Sequence, residues 1–466
     1  MASRQWYVAA LISVLLGLSS SQPARAQNTP AYPRELATAS ARQQQRQQQE
    51  RQIRPESYDL RSNPVTDANE GYWRNLLWTT AVVEPQEPYV AEALSGILSL
   101  ALRPVSAGQA RTVTAALRVA NQLYQKDPQT YAPVGAQLRQ IINWSPKSDW
   151  VALALSALAD APCQDAFCNP AALAATARQR FPNWANDLAL QTTLRDLDQQ
   201  IRPQPLPPLA DLLAYQIAPG ELQLYVLCRP NRAVACTTLL KDRTGQFVRD
   251  NNNQLWSVPL LTRSLHDLRW NFTRGNTPLG IHRIESTVER TDPKFFRAFG
   301  QFPLVQLFVP FENGVKAFLP GQPGAFTGSL QAYTALLPPS WRNYSPIQQS
   351  YWAGRLGRSL FRIHGTGDAP SFFSGSQRNL DTRDWSLAIG CLSVRELYDE
   401  TGALQQADMP RILNALAQAG GTNFTGYLIA VELPDAGSSN QPVSLNDLAT
   451  VVAHVENQRN PVSFVK

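Results

Sequence analysis

Leu360-Phe361-Arg362-Ile363-His364-Gly365-Thr366 and Ala388-Ile389-Gly390-Cys391-Leu392-Ser393 decide how the C-terminal half of the chain is read. The first is a strand-like run that ends in a histidine beside a glycine. The second sets a cysteine after a glycine turn. Ser393 and Glu396, just beyond it, have the Ser-x-x-Glu spacing of a capping box, which predicts a helix over Val394–Tyr398. A helix starting there would turn its N-terminus toward Cys391 and favour a thiolate. A cysteine nucleophile needs such surroundings: a base for the thiol proton and backbone N–H groups for an oxyanion.

The other cysteines sharpen this reading. There are five: Cys163, Cys168, Cys228, Cys236 and Cys391. In an oxidising compartment, thiols tend to pair. Cys163 and Cys168 close a small loop. Cys228 and Cys236 lie symmetrically about Arg232, so a hairpin turn there sets them opposite one another. Two local disulfides leave Cys391 alone as a buried orphan, an intermolecular partner or a nucleophile, and Gly390 and His364 favour the last. Of the remaining histidines, His266 lies in a polar loop, His282 inside a strand and His454 on a helix face.

Ile363-His364-Gly365 followed by Gly390-Cys391-Leu392 resembles the signature of the L,D-transpeptidase catalytic domain, the YkuD-like fold. Thr277-Pro278-Leu279-Gly280-Ile281-His282-Arg283-Ile284 is similar to the Thr-Pro-x-Gly strand opening of that family. The two blocks come in the family's order, within about residues 220–435. The resemblance implies a peptidoglycan cross-linker with Cys391 as nucleophile and His364 as base. The Gly365 carbonyl would orient the imidazole, and the N–H groups of Gly390 and Cys391 would form the oxyanion site. Thr366, Ser393 and Arg395 would contact substrate. It further implies tetrapeptide stem donors, release of D-alanine, 3→3 cross-links and inhibition by β-lactams of the carbapenem type. No metal and no cofactor is expected.

The chain departs from the family pattern in three places. Ile389 stands where many members carry a second histidine. Ser393 stands where arginine or asparagine is usual. The 26 residues between His364 and Cys391 exceed the usual spacing, so Phe372 and Phe373 fall in an inserted loop. Three alternatives stay open: an L,D-carboxypeptidase, another wall hydrolase, or a degenerate domain that binds peptidoglycan without turnover.

Outward from this stretch, the expected organisation is multidomain: an all-α domain followed by a mainly β, L,D-transpeptidase-like catalytic domain. Residues 1–26 read as a signal peptide, with Arg4, an apolar run from Trp6 to Leu18, and Ala24-Arg25-Ala26 for cleavage. That run is short of the ~20 residues a membrane span needs. The expected location is therefore the periplasm or cell wall. Residues 27–56 are Gln/Arg-rich and read as a flexible spacer. Over 57–201, Val90, Ala93, Leu94, Ile97, Leu98, Ala101 and Leu102 repeat at helical spacing, predicting a helical domain that positions or binds a protein partner. Residues 202–219 are proline-rich and read as a linker. Residues 220–466 carry strand patterns at 222–227, 234–240, 281–286, 304–309, 360–364 and 427–433. Removing residues 1–26 takes away Arg4 and Arg25, leaving 40 basic residues against 36 acidic ones. Such an excess is too small to imply nucleic acid.

Overall fold

The structure, a computed structural model, describes residues 34–162, 168–289, 295–367, 387–434 and 440–459. Residues 1–26, Cys163, Phe372 and Phe373 lie outside them. Among the described residues, no helix is long and apolar enough to cross a membrane.

Among the described residues, seven α-helices run between Glu70 and Ile201 and share one apolar core. Pro88–Ser99 shows why: it opens on proline, whose missing N–H is no loss there, and Val90, Leu94, Ile97 and Leu98 all point inward. Asn169 caps Pro170–Arg180 by accepting from the N–H groups of Ala171 and Ala172. Ala107–Lys126 begins with a reciprocal capping box between Ser106 and Gln109.

Among the described residues, nine strands follow: β1 Leu222–Cys228, β2 Thr237–Lys241, β3 Gly280–Val288, β4 Leu304–Phe308, β5 Arg362–His364, β6 Leu392–Ser393, β7 Glu396–Tyr398, β8 Leu404–Ala407 and β9 Thr425–Glu432. Seven of them form one mixed sheet in the order β2-β1-β9-β3-β4-β5-β6, and β7 pairs with β8. The β1–β9 and β5–β6 pairs are parallel and the other pairs antiparallel. Alternation along β9 sends Tyr427, Ile429 and Val431 to one face and Leu428 and Ala430 to the other, so each face carries its own core. The helices Leu445–Arg459 and Leu209–Ala214 cover the first face, and Met409–Gly420 covers the second.

Three expectations are corrected. First, the Gln/Arg-rich region is helical over Ala39–Glu50, with Thr38 as its cap. The Arg42 guanidinium donates to the Asp399 carbonyl at 2.8 Å, while Ala37 packs on Phe296 and Tyr398. Glutamine, arginine and glutamate are good helix formers, and docking on the β7–β8 turn supplies the buried contacts that their composition lacks. Second, the proline-rich 202–219 segment is not a bare connector. Leu212 and Leu213 of Leu209–Ala214 are buried in the sheet core, and the Pro208 carbonyl accepts from Trp341 Nε1 at 3.0 Å. Third, no helix forms over Val394–Tyr398, which is instead β7 and the turn before it. The Glu396 carboxylate is buried and accepts from the Gln301 N–H and the Tyr398 hydroxyl, so it caps nothing.

The helical layer and the sheet are joined by the 262–276 loop. Leu265, Leu268 and Phe272 enter the helical core. Arg269 pairs with Asp160 and Asp196, and Trp270 Nε1 donates to Asp196 at 2.8 Å.

Candidate active site

Cys391 is the free cysteine among the described residues and is buried. Cys228 and Cys236 form a disulfide, and Cys168 is disulfide-bonded as well. Cys391 immediately precedes β6, whose Leu392 and Ser393 pair with Ile363 and His364 of β5. The backbone before it turns at Gly390, where φ is +132°, a region that side chains rarely adopt. An added Cβ there would also come within 2.6 Å of the Arg358 guanidinium. The Gly390 carbonyl is held from the other side by the Thr277 hydroxyl at 2.9 Å. The β5–β6 ladder starts at Leu392, so the N–H groups of Gly390 and Cys391 stand outside it.

His364 ends β5. Its Nδ1 lies 2.6 Å from the Gly365 carbonyl oxygen, and the edge of the Phe299 ring meets it at 5.1 Å. With Nδ1 donating to that carbonyl, Nε2 carries the lone pair. Burial pushes the imidazole down to about 4, the Arg362 charge adds to this, and the Gly365 bond opposes it. The ring is therefore neutral near pH 7, the form a base requires. Gly365 must be glycine, because a Cβ would meet Glu396 Oε2 at 1.9 Å.

Sulfur and ring are neighbours but not partners at rest. Cys391 Sγ donates to the Leu360 carbonyl at 3.5 Å. The strand register places the Cα atoms of Cys391 and His364 on the order of 8 Å apart, diagonally across the pair. Proton transfer requires the thiol to leave Leu360 and turn along β5. Burial pushes the thiol up to about 11, while the Arg362 backbone N–H, then the charges of Arg362 and Arg358, favour the thiolate, and Glu312 opposes them. The capping-box helix is absent, so its dipole does not contribute. The positive field comes from arginine instead.

Three further residues expected to contact substrate are buried or paired. The Thr366 hydroxyl donates to the Arg297 carbonyl at 2.7 Å and its side chain is fully buried. Ser393 is also fully buried, with its hydroxyl unpartnered. Arg395 faces Asp408 at 3.6 Å on the adjoining hairpin. Arg358, Arg362, Glu312 and Thr277, which do surround Cys391, were not anticipated as site residues. Arg362 had a signal, since alternation puts it on the same side of the run as His364. Arg358 had none: it donates to the Asn276 and Gly275 carbonyls, each at 2.8 Å and some eighty positions away in the chain.

The other histidines are placed otherwise. His282 is fully buried in β3, its edge against Phe361. His266 Nδ1 meets Gln122 Oε1 at 3.1 Å in the helical interface, and His454 is exposed beside Gln458. Compared with family models, curated proteins and solved structures, the chain matches none.

Proposed function

We propose that the chain is an exported cysteine acyltransferase of the peptidoglycan wall, acting as an L,D-transpeptidase on tetrapeptide stems. The observation that carries this reading is the juxtaposition on β5 and β6. A single free thiol follows a glycine turn, and the paired strand ends in a neutral histidine steered by the Gly365 carbonyl. In the proposed reaction His364 Nε2 takes the thiol proton, and the sulfur attacks the amide carbonyl before the terminal D-alanine. The Gly390 and Cys391 N–H groups receive the oxyanion. The C–N bond breaks, the proton passes to the departing D-alanine amine, and a thioester remains. The amine of a second stem attacks that thioester and frees the thiol, with His364 accepting and returning the proton. Water in place of the amine gives the carboxypeptidase reaction.

A second reading, a wall-binding domain without turnover, is favoured by the resting thiol on Leu360 and the closed position of Ser393. Incubating the full chain with disaccharide tetrapeptides and following products by mass separates the two. The proposal expects D-alanine release with 3→3 dimer, both abolished in Cys391→Ala. Binding without any D-alanine release, or release that persists in Cys391→Ala, would refute it.

A further inference from the structure

A cavity of about 390 Å3 lies between the helical layer and the 262–276 loop. Five cations line it: Arg74, Arg111, Arg118, Lys147 and Arg274. Only two acids, Glu70 and Asp149, share the wall. Glu70 is already engaged by Arg74 at 3.8 Å and Arg111 at 3.7 Å. Asp149 lies within range of Lys147, whose ammonium sits 4.3 Å over the Trp150 ring.

That leaves Arg118 and Arg274. Arg118 is mostly buried and, among the described residues, makes no hydrogen bond and no ion pair. Arg274 rests 5.4 Å over the Trp78 ring and, among the described residues, has no carboxylate partner. The two guanidiniums are close enough to repel each other, and burial together with Arg274 lowers Arg118 to about 10. His266 on the same wall is held neutral by burial and by these two charges, so it adds no third positive charge. Two partly buried like charges without a counter-ion are costly, and a bound anion would offset that cost. Arg274 also sits at φ +67°, a conformation a bulky residue adopts rarely and keeps where its side chain is needed.

We propose that this cavity binds a phosphate group, free or esterified, between Arg118 and Arg274. Two uncompensated positive charges match a dianion, and the guanidinium fork matches its oxygens. The site is independent of the chemistry at Cys391, but it is not remote from it. The turn that carries Arg274 offers its Gly275 and Asn276 carbonyls to Arg358, and the next residue, Thr277, holds the Gly390 carbonyl. A phosphate on Arg274 therefore fixes the segment on which the cysteine turn leans.

Calorimetric titration of the full chain tests this, with inorganic phosphate and glycerol 3-phosphate as separate arms and chloride at matched ionic strength as control. Saturable one-to-one binding of phosphate is expected, weakened at least tenfold in Arg118→Met and in Arg274→Gln. Tighter binding of glycerol 3-phosphate identifies the physiological group as an ester, and tighter binding of inorganic phosphate identifies it as the free ion. Without phosphate, Arg118→Met should melt no lower than the parent, because one of two repelling charges is gone. Should that variant fail to fold, the expectation fails with it and Arg274→Gln decides the binding question. Absence of saturable binding, or equal affinity in the variants, would overturn the assignment.

Discussion

Two histidines are buried in the same sheet, one in the middle and one near its edge, and only the second meets a backbone acceptor at a strand end. His282 lies in β3, flanked by β9 and β4. Neither of its ring nitrogens has a well-aligned partner, and burial pushes it down to about 3, with the Gly280 backbone pulling weakly the other way. His364 is nearly as buried, yet its strand ends there, and Gly365 turns a carbonyl onto Nδ1. Burial and a depressed pKa are common to both. What separates them is a fixed tautomer and a strand end beside a free thiol. The lesson is that desolvation alone does not mark a base: the partner on the second nitrogen and the open direction beyond the strand do.

The largest effect that breaks or sharpens this contrast is expected from His364→Ala. Turnover should fall by about 10²–10⁴, the range for losing a general base. The acid limb of the parent's rate profile should lie near pH 4, the depressed value, rather than near 6.5. A loss smaller than threefold would put the two histidines on equal terms.

Next in size is Arg362→Gln. Its guanidinium is the leading charge that favours the Cys391 thiolate, so the thiol pKa should rise by about one unit and the acylation rate at neutral pH fall about tenfold. Titrating the thiol by its absorbance as thiolate checks this. An unchanged pKa would mean that the field at the sulfur has another source.

The smallest effect on turnover belongs to His282→Leu, expected within about twofold because nothing reactive faces it. Stability is where this change shows. The folded pKa lies below the unfolded value, so the unfolded chain binds the extra proton between pH 6.5 and about 3. His282 therefore lets stability stand in full above pH 6.5 and drains it as the pH falls through that window. Removing it should flatten the slope by about 1.4 kcal/mol per pH unit. Denaturant unfolding at pH 5 and pH 7 measures it, and a slope identical to the parent's would show that His282 is solvated or paired.

Much of this architecture was legible in the residues. Alternation marked β1, β3, β4 and β9, and the i, i+3, i+4 pattern marked Pro88–Ser99, because long amphipathic elements carry their burial in their own spacing. β6, β7 and β8 were not legible: they are two to four residues long, too short for any period. Ser393 and Glu396 also mimic a cap, and only the missing Cβ atoms of Gly300 and Gly365 reveal that Glu396 is buried against them. The Ala39–Glu50 helix was missed for the opposite reason. Its propensity was present, but its docking on Asp399 and Tyr398 is a contact across the chain. At the candidate site, the order of His364 and Cys391 could be read from the sequence. Alternation also puts Arg362 on the side of His364, but Arg358 could not be read, since it is held by carbonyls remote in sequence.

Intact-mass measurement of the full chain with a carbapenem tests most directly the claim that Cys391 and His364 act together. The account predicts one drug equivalent on the peptide containing Cys391 in the parent and in His282→Leu. It predicts none in Cys391→Ala, and acylation at least a hundredfold slower in His364→Ala. No adduct on Cys391 in the parent, or an equal rate in His364→Ala, would contradict it.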